Sequence, residues 1–270
     1  MKLWLLSIGL LVSSSIFAQP LIAADTRCEV DWKNCVYIAE GQAVIQNPKQ
    51  SESREKGMLD ARKSAAVKMM ALIQKTSIQG QDPSPILEKY ASVRNRITDI
   101  INTAKSVDSR QVTLQTKAVA IVTLKIPVYG QDGPGTAIID AASALDEPIR
   151  PTVDLSSSGY TNLIIDTTGL NIKRSMCPRI LKSSGEIVYD GRSATIDQIE
   201  ASGIVSYSKS LDSANKLSRC GSKPLIVKAS GSTGIGNWDV IISDSDAATI
   251  QTLNNKSHFL DKLNVIIVVD

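Results

Sequence analysis

Apolar residues recur at steps of three and four along Pro48–Thr76, at Met58, Ala61, Ala65, Met69, Leu72 and Thr76. That spacing predicts one face of a helix. Leu59, Ala66, Met70 and Ile73 widen the face, and Asp60, Arg62, Lys63, Lys68 and Lys75 fall mostly opposite it. Asn47 is the expected cap, with Pro48 at the first helical position and Gln50 as the partner three residues after the cap. Gly57 is the weak point of the run. The small residues Ala61, Ala65 and Ala66 predict close packing on a sheet. A second helical run, Pro85–Ala104, has Ser84 as its cap and keeps helical spacing through Ile86, Tyr90, Val93, Ile97, Ile100 or Ile101, and Ala104.

Strand signals flank these helices. Val36–Ile45 reads as a strand, with Gly41 expected to mark a bulge. Past Ala104 the period changes to alternation. Val107, Val112 and Leu114 predict one strand, and Ala118, Ala120, Val122, Leu124, Ile126 and Val128 a second, paired as a hairpin. The expected first module is β-α-α-β-β over 28–129, with two helices on one face of a small antiparallel sheet. Gly130, Gly133, Pro134, Gly135, Pro148, Pro151 and Ser156–Ser158 mark 130–159 as a linker, with a short helix over Ile138–Leu145. The second module, 160–270, is richer in short strands: Asn162–Asp166, a hairpin of Arg179–Leu181 and Glu186–Tyr189, Leu225–Ala229, Trp238–Ile242 and a buried Leu263–Val269. Short helices are expected over Thr195–Glu200 and Leu211–Leu217, and a longer one after Asp244 or Ser245. The fold class expected is α+β, with a mixed sheet and short helices in the second module.

Composition narrows the setting. Only two Phe and three Trp stand among 270 residues that are 43% hydrophobic, so the core is aliphatic. Lys2 followed by the apolar run Leu3–Val12 and Ile16-Phe17-Ala18 reads as a secretory signal over 1–24, cut near Ala18 or Ala24. The apolar run is too short for a stable span, and Asp25-Thr26-Arg27 ahead of Cys28 is too polar for a lipobox. The expectation is a periplasmic or outer-membrane-associated protein. The net charge of +3 drops to +2 without Lys2, which argues against a nucleic-acid partner. Four cysteines in an exported chain predict disulfides. Of the three possible pairings, Cys28 with Cys35 and Cys177 with Cys220 keep each bridge within one module. A zinc site lacks C-x-x-C spacing, and the only His, His258, has no Cys or acidic cluster near it in sequence.

The motifs that suggest chemistry lack the context that chemistry needs. Gly231-Ser232-Thr233-Gly234-Ile235-Gly236 resembles a phosphate-binding glycine loop, but Trp238–Ile242 after it reads as a strand where a helix is required. A hairpin loop is the better reading. His258 has no G-x-S-x-G serine to serve and is expected at a surface or helix end. Asp140, Asp146, Glu147, Asp154 and Asp166 have few aromatics near them to stack on a sugar. Asp239, Asp244 and Asp246 lack the glycine and closing Glu of a calcium loop. Arg54, Arg62, Lys63, Lys68 and Lys75 form a basic helix face suited to solvent or an anionic surface. Met69 and Met70 suit the core. No catalytic, cofactor-binding or metal-ligating set is expected.

Tyr37–Val44 with Gly41, Asp60-Ala61-Arg62-Lys63-Ser64-Ala65-Ala66, and the hairpin around Val119–Ile126 resemble the Lpp-twenty type lipoprotein family and the N-terminal domain of flagellar assembly protein T. The resemblance covers the first module. Tyr160–Asp166 with Gly169-Leu170, Pro178-Arg179-Ile180 and Gly185–Tyr189 resemble a C-terminal region of uncharacterised exported bacterial proteins. Asn162 replaces a usual Gly there, and Thr167-Thr168 a usual Ala-Arg. These resemblances imply an envelope or flagellum-associated protein that is not an enzyme and that works through envelope proteins or self-association. The alternative expectation is a periplasmic binding module for a small ligand or glycan.

Overall fold

The computed structural model describes residues 26–143, 159–191 and 194–270. The expected signal, 1–24, and Asp146, Glu147 and Asp154 lie outside the described residues. The chain folds as an α+β protein. The first module runs β1 (Cys28–Asp31), β2 (Val36–Val44), α1 (Ser51–Lys75), α2 (Ser84–Lys89), α3 (Ala91–Thr103), β3 (Ser106–Leu114) and β4 (Lys117–Pro127). Its strands form an antiparallel sheet in the order β1-β2-β4-β3.

Helix α1 lies on β2 and β4 and buries Gly57, Ala61, Ala65, Met69 and Ile73, a row of small residues followed by larger ones at steps of four. The expected bulge at Gly41 is absent. Strand β2 pairs with β4 in unbroken register from Val36 to Val44, with Gly41 opposite Val122. Gly41 serves the helix instead. A Cβ there would collide with the Ala61 carbonyl and the Ala65 amide, so the missing side chain sets how closely α1 approaches the sheet. Gly57 likewise sits against Ile45 and Ala120.

The expected start of α1 is also corrected. Asn47 accepts from the Lys49 amide in a turn, its own amide donates to Ser53 Oγ, and the helix begins only at Ser51. The second helical run is two helices. Tyr90 (φ −110°, ψ 89°) leaves the helical region and divides α2 from α3.

The stretch expected as a linker carries α4 (Pro134–Ser143). Ala137, Ile138, Ile139 and Ala142 are buried in the core, and α4 packs on α2 and α3. The second module contains β5 (Asn162–Asp166), β6 (Ile180–Lys182), β7 (Ile187–Tyr189), α5 (Ile196–Ser202), β8 (Ser206–Ser208), α6 (Leu211–Ala214), β9 (Pro224–Lys228), β10 (Gly231–Thr233), β11 (Asp239–Ile242), α7 (Asp244–Ser257) and β12 (Val265–Val268). These strands form two sheets where one mixed sheet was expected. One is parallel throughout, β8-β12-β5-β9. The other, β10-β11-β6-β7, is mixed. Buried on both faces, Leu163–Ile165 and Val265–Val268 read as near-continuous apolar runs, as central parallel strands do.

One continuous apolar core joins the modules. It takes Tyr37, Met69 and Ile126 from the first and Ile165, Met176 and Val265 from the second. The seam is also hydrogen-bonded. The Met176 amide donates to the Ser77 carbonyl at 2.8 Å, and the Gln79 amide donates to the Cys177 carbonyl at 2.8 Å. Tyr129 Oη donates to the Met176 carbonyl at 2.5 Å, and Tyr37 Oη lies 3.1 Å from Met176 Sδ.

Candidate functional site

The chain builds a polar cleft where the two modules meet. Its first-module wall is the β1–β2 turn. Asp31 accepts from the amides of Lys33 and Asn34 and from the Asn34 side chain at 2.7 Å. The Asn34 hydrogen bond holds the Asp31 carboxyl below its ordinary value, against the opposing effect of burial. Asp31 thus ties the turn as an Asx motif, and Cys35 completes it at φ 49°. The Cys35 carbonyl accepts from the Val128 amide, which fixes the turn to the end of β4. Trp32 meets the edge of the Tyr207 ring at 5.5 Å and 70°.

The second-module wall is the C-terminal end of α5. Thr195 and Gln198 form a capping box at the start of that helix. Gly203 ends it at φ 69°, with the Tyr129 ring packed where a side chain would stand. Arg219 spans this wall. Its guanidinium donates to the carbonyls of Leu263 at 2.8 Å, Gly203 at 3.0 Å and Ser202. It therefore caps α5 with a positive charge, favourable at a helix C-terminus. Burial pulls the Arg219 pKa down, since carbonyl dipoles do not replace a counter-charge. Burial pushes the Cys35 thiol up, with Arg219 pulling the other way. The cleft between these walls holds about 540 Å³, lined further by Lys33, Pro127, Ser206 and Asn264.

The expected disulfides are not formed. All four cysteines are free thiols. In the β1–β2 register Cys28 faces Ala39, while Cys35 lies in the turn beyond Asp31 and Val36. Three strand residues separate them by about 10 Å, beyond the reach of a bridge. Cys28 Sγ points to the Lys68 carbonyl. Cys177 is buried with its Sγ 3.0 Å from the Asp190 carbonyl. Cys220 lies across the parallel sheet against Asn162 and Asn215.

The remaining sequence candidates are dispersed. Gly231–Thr233, expected within a hairpin loop, is strand β10, paired antiparallel with β11, and the turn is confined to Gly234–Asn237. Gly234 instead approaches Gly80 closely. His258 takes the left-handed C-cap of α7 and lies 3.2 Å from Asp261. Asp140 is exposed on α4, while Asp166 binds its own loop through Thr168. Asp239 is fully buried and holds Arg179 through Nε at 2.9 Å and a terminal nitrogen at 2.5 Å. Asp244 and Asp246 sit in the first turn of α7. Among the described residues no group of three His, Cys, Asp or Glu is placed to hold a metal ion. Arg62 bonds to Ser106, Asn102 and Ala104, and Lys68 to Thr26 and the Glu40 carbonyl, so two members of the basic face are tied to neighbours. Met69 is core. Sequence reasoning passed over Arg219, since Ser218-Arg219-Cys220 carries no motif.

Among the described residues no helix is long and apolar enough to cross a membrane. No curated protein matches the chain. The family model described as Treponema pallidum Tp0624, second domain, matches residues 162–270. The second module is therefore similar to an uncharacterised bacterial domain over nearly its whole length.

Proposed function

We propose that the chain is an exported, non-enzymatic protein of the cell envelope, with a structural or assembly role near the outer membrane or flagellum, that acts through protein–protein contact. The observation that carries this reading is the open edge of the first-module sheet. Strand β3 is nine residues long, pairs with β4 alone among the described residues, and leaves Val107 59% exposed. A free edge of that length offers a row of backbone donors and acceptors to an added strand. Asp108 and Arg110 on the same strand pair with each other, and Arg110 also with Glu40, which discourages indiscriminate pairing. The single core beneath both modules gives that edge a firm support. The resemblance of Tyr37–Val44 and Asp60–Ala66 to the Lpp-twenty family and to flagellar assembly protein T points the same way, as do the signal-like first residues.

Light scattering on the exported protein and affinity capture from isolated envelopes test this. Self-association or a reproducible envelope partner is expected, weakened by Val107→Lys. A strict monomer over a wide concentration range that retains no envelope protein overturns it. A second reading, a binding module for a small ligand, is favoured by the cleft at Arg219.

A further inference from the structure

We propose that the cleft between the modules binds a small hydroxylated organic anion, its carboxylate or phosphate held between Arg219 and Lys33. This rests on the second reading and gives it a ligand class. Three observations carry it. First, the cleft's volume of about 540 Å³ falls in the range of small-molecule sites. Second, the charge of its described lining is lopsided: among the described residues Arg219 and Lys33 line it against one carboxylate, the exposed Glu200. Lys33 and Arg219 make no ion pair among the described residues, and the three groups bonded by Arg219 are all neutral carbonyls. A half-buried guanidinium hydrogen-bonded to neutral carbonyls gains strongly from an anion, because charge-assisted hydrogen bonds exceed neutral ones.

Third, a donor remains for that anion. Among the described residues Arg219 Nε has no hydrogen-bond partner, and it is not among their buried, unpartnered polar atoms. The bonds to Ser202, Gly203 and Leu263 meanwhile hold the guanidinium still, so little conformational freedom is lost on binding. Ser206, Ser218 and the Asn264 amide supply neutral partners for hydroxyl groups along the remaining wall. Pro127, Ala201 and the Tyr129 ring supply the apolar surface that a sugar-sized ring covers. The site needs both modules, since Lys33 comes from one and Arg219 from the other.

The test uses the whole exported chain with D-glucuronate and glucose 6-phosphate as probes and D-glucose as the neutral control. Binding is followed by amide resonance shifts and by titration calorimetry. At least one anionic probe is expected to saturate and to shift Lys33, Asn34, Cys35 and Gly203, with glucose much weaker. Arg219→Gln removes the α5 cap and is expected to disturb folding, so two milder variants carry the decision. Lys33→Glu, at an exposed position, is expected to weaken the anion about tenfold. Ala201→Trp is expected to block the cleft and abolish binding of every probe. Glucose binding as well as the anions at the same resonances would overturn the anion assignment while keeping a ligand-binding module. No saturable binding of any probe, or anion binding unchanged in both variants, would overturn both.

Discussion

Gly41 and the four cysteines carry the sharpest consequences at the scale of single residues. Gly41 lies where helix backbone meets strand backbone, and the atoms nearest to an added Cβ are the backbone of Ala61 and Ala65. Gly41→Ala is therefore expected to push α1 off the sheet and cost about 2–3 kcal/mol, read as a lower urea midpoint at unchanged slope. An unchanged midpoint would show that the helix can lift without loss. The thiols should label in order of access. Cys28 is exposed, Cys35 and Cys220 are half-buried, and Cys177 is buried with its pKa pushed well up by desolvation. Native thiol titration with mass readout is expected to modify Cys28 first and Cys177 only on unfolding. A native mass lower by the hydrogens of two bridges would instead restore the disulfide pairing.

At the scale of elements, the first-module sheet is tied by one carboxylate. Glu40 on β2 accepts from the Arg27 amide, from Arg110 on β3 and from Thr123 on β4. Burial alone would raise its pKa, but these hydrogen bonds outweigh that and lower it below the ordinary 4.5. A depressed folded-state pKa contributes stability above the unfolded value and loses it as pH falls through the folded value. Glu40→Gln is thus expected to lower stability near neutrality and to flatten the decline of the unfolding midpoint between neutral pH and pH values below 4.5. An acid profile identical to the unsubstituted protein would remove Glu40 from the tie. The same scale shows why helix positions were legible and helix ends were not. The face of α1 follows from the spacing of Ala61, Ala65 and Met69. Its start depended on Asn47 bonding within a turn, a local competition that side-chain type does not decide.

At the scale of the whole molecule, Tyr129, Tyr37 and Met176 cross the seam, and α4 fills what composition marked as a linker. A core shared in this way predicts one cooperative transition. Variants retaining Trp32 or Trp238 as sole fluorescence reporter, one in each module, are expected to unfold at the same denaturant concentration. Separate midpoints would show that the modules unfold independently.

Read alone, the chain determined its α+β class, because helical and strand periods are written residue by residue in what must be buried. It also placed β12 correctly, since a run such as Val265–Val268 has no polar face to offer water. Strands β1, β8 and β10 escaped notice, whereas the equally short β6 and β7 were marked by the turn residues Ser183-Ser184-Gly185 between them. The cleft belongs wholly to the tertiary structure. Lys33 and Arg219 stand far apart in sequence, and nothing around either residue announces the other. Only the docking of two modules on one core places both cations along one cleft, with the guanidinium held, among the described residues, by carbonyl dipoles.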